Sequence, residues 1–172
     1  MPTLILALNY WLHLLATVAW LGGMAALVAM AWPSTRGEAA SGAAAEGSRS
    51  FLEALERRFR PVANVSLAVL LVTGMIQMGG DPHYRGFLRI TDAWSASLLA
   101  KHLVILGMVG VTGVLQWGIY PALDRARLLA RRRSTEGRAI EESLQGRVQH
   151  LTLVNLVLGV LVLLITAFLT AQ

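Results

Sequence analysis

The chain has 172 residues, of which 55% are hydrophobic and only 15% charged, and its mean hydropathy is +0.57. A soluble domain carries roughly a quarter charged residues, so this chain lacks the polar coat of an ordinary soluble enzyme, and it is too apolar for a disordered tail. It has no cysteine, which excludes disulfides, thiolate zinc sites, iron–sulfur clusters and cysteine nucleophiles. The net charge of +5 is laid out as membrane topology, and no nucleic-acid partner is expected.

The charges fall between four long neutral stretches. No charge precedes Arg36, none lies between Arg60 and Asp81, Lys101 alone interrupts Asp92 to Asp124, and none follows Arg147. A bilayer core of about 30 Å takes about 20 apolar helical residues. The spacing therefore predicts an all-α integral membrane four-helix bundle forming a single membrane domain, with spans over about 4–32, 61–80, 93–120 and 148–170. The first stretch reads as a retained span. It has no basic residue before the apolar run, and the run is longer than a signal peptide needs.

Loop 33–60 carries Arg36, Arg49, Arg57, Arg58 and Arg60, and loop 121–147 carries Arg125, Arg127, Arg131, Arg132, Arg133, Arg138 and Arg147. The short loop 81–92 has only Arg85 and Arg89. Basic residues favour the cytoplasmic side. The two long loops are thus expected in the cytoplasm, with both termini outside, in the inner (plasma) membrane. Trp11, Tyr84 and Trp94 then mark the outer interface, and Trp32, Trp117 and Tyr120 the inner one. Residues 50–59 place Phe51, Leu52, Leu55 and Phe59 at helical spacing, and Ser50 with Glu53 has the form of a capping box. This segment is expected to extend the second span. Residues 122–147 look similar, as a solvated extension with its arginines at lipid headgroups. The two hairpins, each with a long basic inner loop, form a weak internal repeat.

Two of the four histidines lie inside spans. His13 is about nine residues into the first, roughly 14 Å at 1.5 Å per residue, and His102 is equally deep in the third. Ionisable groups within a bilayer are costly and face the bundle interior. Asn9, His13, Ala16, Thr17, Trp20 and Met24 fall on one stripe, and Ser95, His102, Val109, Gly113 and Gln116 on another. Depth-matched imidazoles on two helices suit the two axial positions of a haem b, with Lys101 and Asn9 near its propionates. Copper(I) is the competing guest, because it favours soft ligands beside imidazole. Met75 and Met78 at the outer end of the second span, followed by His83, offer a capture route for it. His150, beside Arg147, reads as interfacial. Asn155, on a stripe with Gly159, Val162 and Thr166, reads as an interhelical hydrogen bond.

Several segments resemble known families. Trp11-Leu12-His13-Leu14-Leu15-Ala16 with Ala19-Trp20-Leu21-Gly22-Gly23 is similar to the first helix of the copper-resistance D (CopD) family and of the related HemJ-type protoporphyrinogen oxidases. Arg58-Phe59-Arg60-Pro61 with Leu71-Val72-Thr73-Gly74 resembles their second helix, and Ser97-Leu98-Leu99-Ala100-Lys101-His102-Leu103-Val104 their third. The resemblance implies a membrane helical bundle with a metal or haem role, in which His13 and Lys101 match the first-helix histidine and the third-helix lysine. Tyr120-Pro121-Ala122-Leu123-Asp124-Arg125 stands where the oxidases have an arginine-rich Asn-Glu-x-Pro segment, so a redox enzyme of that type is not the expectation.

Three functions stay open on the sequence. The first is a haem b protein for electron transfer or membrane assembly, with iron between His13 and His102. The second is a CopD-like copper transport or homeostasis protein, with His13, His102, Met75, Met78 and His83 as ligands. The third is a cofactor-free accessory subunit of a larger membrane complex. The topology has its own test. Reporter fusions at residues 40 and 130 are expected to report cytoplasm, and a fusion at residue 86 the outside. A C-terminus in the cytoplasm together with an N-terminus outside contradicts four spans.

Overall fold

The computed structural model describes residues 3–35, 43–80, 93–131 and 134–170. His83 and Tyr84 lie outside the described residues, as do the side chains of Trp32, Trp94 and Ser95. Five α-helices are formed: α1 Thr3–Thr35, α2 Ala43–Gly79, α3 Ala93–Gly113, α4 Tyr120–Arg131 and α5 Thr135–Thr170. A π-helical turn, Val114–Ile119, joins α3 to α4 without a break. No strand occurs among the described residues. Four stretches are long and apolar enough to cross a membrane: Thr3–Ala31, Gly47–Gly79, Ala96–Arg131 and Thr135–Thr170. Large apolar side chains such as Leu4, Trp11, Val18, Val65, Leu106, Trp117 and Leu164 are exposed along all four. A water-soluble monomer does not leave apolar surface of that extent uncovered; lipid covers it here.

The chain divides into two compact units, Met1–Phe87 and Leu88–Gln172. In the first, α1 and α2 run antiparallel, since His13 meets Thr73 while Gly23 meets Phe59. The stripe expected on the first span is the buried one. Asn9, Ala16, Trp20, Met24, Leu27 and Ala31 are buried, and His13 and Thr17 are half-buried beside them. Their spacing of three and four residues keeps them on one helix face. The Phe59 ring fills the space that a side chain at Gly23 would take. α2 begins well before Pro61 and runs through it, as spanning helices tolerate when neighbouring groups absorb the lost hydrogen bond. The extension expected over 50–59 is therefore helical, but Ser50 does not cap it. The helix starts at Ala43, and the Ser50 hydroxyl donates back to the Gly47 carbonyl at 2.9 Å. Glu56, only 3% exposed, accepts from Arg60 Nη2 at 2.8 Å.

In the second unit α5 lies antiparallel to both α3 and α4. Gly107 and Thr112 of α3 meet Leu158 and Asn155, and Arg127 of α4 meets Gln145. The buried residues described in α3 and the π-helical turn are Met108 and Leu115. The stripe expected there, through His102, Val109, Gly113 and Gln116, is only half-buried, so it lies at the edge of the packed face. The core gathers Leu115, Tyr120, Leu123 and Val148, with Val111, Ile119, Leu144 and Leu151 against it. Tyr120, expected near the inner interface, packs within this core. The π-helical turn has no counterpart in the sequence reading; Gly113 leaves room for the Trp117 ring, which would stand 3.2 Å from a Cβ there.

The arginine-rich segment 121–147 is a built helical hairpin. Ser134 caps α5, its hydroxyl accepting the Gly137 N–H at 3.1 Å and its carbonyl the Arg138 N–H at 3.2 Å. Arg127 is 3% exposed and does not sit at lipid headgroups; its Nη2 donates to Gln145 Oε1 at 2.9 Å, with Asp124 at 3.7 Å and Glu141 at 4.0 Å. Gly137 brings α5 onto α4 so closely that a Cβ would lie 2.8 Å from the Ala130 nitrogen and 2.9 Å from the Leu129 carbonyl carbon. Backbone atoms cannot swing aside. Gly137→Ala is expected to cost about 1–3 kcal/mol through overpacking, read as a lower melting temperature in detergent. Gly146→Ala on the same helix meets nothing within 4 Å and is expected to be neutral, or to stabilise by up to about 1 kcal/mol through helix propensity.

Candidate functional site

In the first unit one threonine hydroxyl organises three residues. Thr73 Oγ1 lies 2.6 Å from the Val69 carbonyl on its own helix and 2.7 Å from His13 Nδ1. A hydroxyl has a single proton, and the carbonyl can only accept. The proton of Thr73 therefore goes to Val69, and the oxygen accepts from His13. It follows that His13 carries a proton on Nδ1, which leaves Nε2 as the ligand atom of the neutral ring. The Thr73 carbonyl accepts from Asn9 Nδ2 at 3.3 Å, and the Thr17 hydroxyl donates to the His13 carbonyl at 2.8 Å. Gly74 lets the ring lie close to α2, where a Cβ would be 3.6 Å from His13 Cε1. The imidazole is thus held at one nitrogen and along one face. An imidazole anchored this way through Nδ1 is a preorganised Nε2 ligand, the arrangement that fixes tautomer and ring orientation in metal-binding histidines.

His102 shows the same chemistry in the second unit. Its Nδ1 is 2.7 Å from the Leu98 carbonyl one turn earlier, so that nitrogen is again the donor. Lys101 beside it is partly buried. In the first unit Met78 is partly buried and Met75 is 68% exposed. His150 is exposed, near Arg147. Asn155, 2% exposed, makes the expected interhelical bond, Nδ2 donating to Thr112 Oγ1 at 2.9 Å while that hydroxyl donates to the Met108 carbonyl at 2.9 Å. Among the described residues, no three His, Asp or Glu side chains stand close enough to form a metal cluster. The donors that match a soft ion here are imidazole nitrogens and methionine thioethers.

Sequence reasoning missed Thr73 as the anchor of His13. The signal was present: Thr73 lies inside the Leu71-Val72-Thr73-Gly74 motif and is the only hydroxyl residue between Ser66 and the end of α2.

Residues 53–169 match the family model of Copper resistance protein D, well over half of the chain. With four spans of the required length, the chain belongs to the CopD family of multi-pass membrane proteins. The matched region runs from α2 through α5 and includes Thr73, Met75, Met78 and His102; His13 precedes it. No curated protein and no solved structure matches the chain.

The Thr73 anchor can be removed without deleting the histidine. Thr73→Val takes away the acceptor of the His13 Nδ1–H and is expected to destabilise the protein by about 0.6–1.7 kcal/mol, the range for interhelical hydrogen bonds in lipid. Nitrogen-15 spectra of His13 should then show a mixture of the two ring tautomers. Thr73→Ser should restore both the stability and the single tautomer.

Proposed function

We propose that this CopD-family protein handles copper within the membrane, as a transport or homeostasis protein, and that His13 is the ligand at the centre of its site. The observation that carries the reading is the His13 imidazole, half-buried in a spanning helix pair and tethered through Nδ1 to Thr73. The match to the copper resistance protein D family supports copper as the ion. Copper(I) is the cargo, and imidazole with thioether is a donor set that suits it. Met78 and Met75 follow Thr73 along α2, and with His83 they would pass an ion toward the depth of His13. His102, anchored through Nδ1 in the second unit, is a candidate copper ligand there. The arginine distribution supports an inner-membrane orientation with the long loops in the cytoplasm. Copper would then meet the methionines from the outer side.

The haem b expected from the depth-matched histidines draws no support from the family match, which is to a copper-resistance family. The two readings separate on one preparation. Protein purified in detergent and reconstituted with copper(I) is expected to be colourless and to retain the ion against a competing chelator. His13→Ala should weaken retention by about tenfold or more, taking the loss from metal sites with a perturbed ligand shell as the lower bound. His150→Ala should leave it unchanged. A Soret band in the protein as isolated, or copper retention that is indifferent to His13, contradicts the copper reading.

A further inference from the structure

Residues 148–170 carry no charge, and all lie in α5. As a helix they cover about 34 Å at 1.5 Å per residue, enough for a hydrocarbon core of about 30 Å. The hydrocarbon boundary on the arginine-rich side therefore falls close to Val148. The headgroup region beyond it is about 5–8 Å deep. By helix rise, Arg147 stands about 2 Å outside the boundary and Ser143 about 8 Å outside, so the two bracket this layer. His150 is about 3 Å inside the boundary, and Arg138 stands about 15 Å out, past the headgroups.

Ser143, Arg147 and His150 recur at four and three residues, which places them on one face of α5. All three are exposed. Among the described residues, their side chains have no hydrogen-bond or ion-pair partner. Helical side chains lean toward the N-terminus of their helix, which for α5 is the direction out of the hydrocarbon. The guanidinium and the imidazole thus lean into the headgroup layer. The positions one turn from Arg147 are Ser143, Leu144, His150 and Leu151, so no carboxylate neutralises it along the helix. Beside it lies a groove of about 390 Å³, lined by Ala139, Ile140, Ser143, Leu144 and Arg147.

This combination matches one class of ligand. A guanidinium fork with a hydroxyl donor suits phosphate oxygens. A cation with no carboxylate beside it favours a ligand of net negative charge. The depth is that of lipid phosphates, and the apolar walls suit a carbon skeleton attached to one. We propose that the groove on α5 binds one anionic phospholipid of the adjacent leaflet. Its phosphate lies between Ser143 and Arg147, its headgroup carbons lie against Ile140 and Leu144, and its acyl chains run down α5 past His150. A soluble phosphate ester shares the donors but has no chains to bury. The site is independent of the copper reading, which uses none of these residues.

The test uses metal-free protein in a neutral detergent, titrated with phosphatidylglycerol, phosphatidylcholine or glycerol phosphate. Native mass spectrometry counts the bound lipid, and the melting temperature reports its effect. The wild type should retain one phosphatidylglycerol in preference to phosphatidylcholine and melt higher in its presence. Arg147→Gln should weaken that binding by about tenfold or more, the scale of a hydrogen bond to a charged group. Ser143→Ala and His150→Ala should each weaken it by about threefold. Arg138→Gln should bind as the wild type does. Without lipid, Arg147→Gln should melt with the wild type, because the residue is exposed. Equal retention of the two lipids by the wild type overturns the proposal, and so does undiminished phosphatidylglycerol binding in Arg147→Gln. Equal losses in Arg138→Gln and Arg147→Gln overturn it in favour of diffuse charge attraction. Displacement of the lipid by an equal concentration of glycerol phosphate overturns it in favour of a soluble anion.

Discussion

A threonine hydroxyl has one proton to give, and at Thr73 the backbone of α2 takes it. That single constraint sets the state of the candidate site. With its proton committed to the Val69 carbonyl, Thr73 can only accept from His13, and His13 can then present only Nε2 to a ligand. The same residue's carbonyl receives Asn9, so one position on α2 ties down two polar side chains of α1. In water such an arrangement competes with solvent. In lipid no solvent competes, and a histidine without an internal partner would carry a large desolvation cost.

The second unit is held in a related way. Lipid supplies little hydrophobic drive between helices, so close packing and interhelical hydrogen bonds set which faces meet. Asn155 reaches across to Thr112, whose own proton goes to the Met108 carbonyl. At the arginine-rich end the means differ. Arg127 is buried between α4 and α5 with Gln145, Asp124 and Glu141 around it, and Gly137 permits backbone contact. A buried guanidinium is tolerable only when its donors face acceptors of this kind. The hairpin is therefore specified in its own right and is more than a solvated continuation of two spans.

Much of this fold was legible in the sequence because the bilayer imposes a length and excludes charge. The neutral stretches marked the four spans, and the recurrence of Asn9, Ala16, Trp20 and Met24 marked the buried face of α1. Asn155 was recognisable as an interhelical bond because a lone carboxamide in an apolar span needs a partner. What could not be read depended on pairing across helices. Nothing in the local sequence distinguishes Arg127, which is buried, from Arg125 or Arg131, which are exposed. Tyr120 is buried directly after a π-helical turn, which has no clear sequence signature. His13 and His102 were identifiable as polar groups inside spans, but that Nδ1 is the donor in each follows only from their acceptors, one on a neighbouring helix and one on the same helix. Membership of the CopD family favours copper over haem as the guest, a choice that two imidazoles alone leave open.

The central claim is that copper is bound through the Nε2 atom of an imidazole fixed by Thr73. X-ray absorption at the copper edge, on wild-type protein loaded with one equivalent of copper(I) in lipid, addresses it most directly. The account predicts nitrogen in the first shell at about 2 Å, as for other first-row metal–imidazole bonds, with the outer-shell scattering of an imidazole ring. A first shell of sulfur alone, with no imidazole signature, would contradict it.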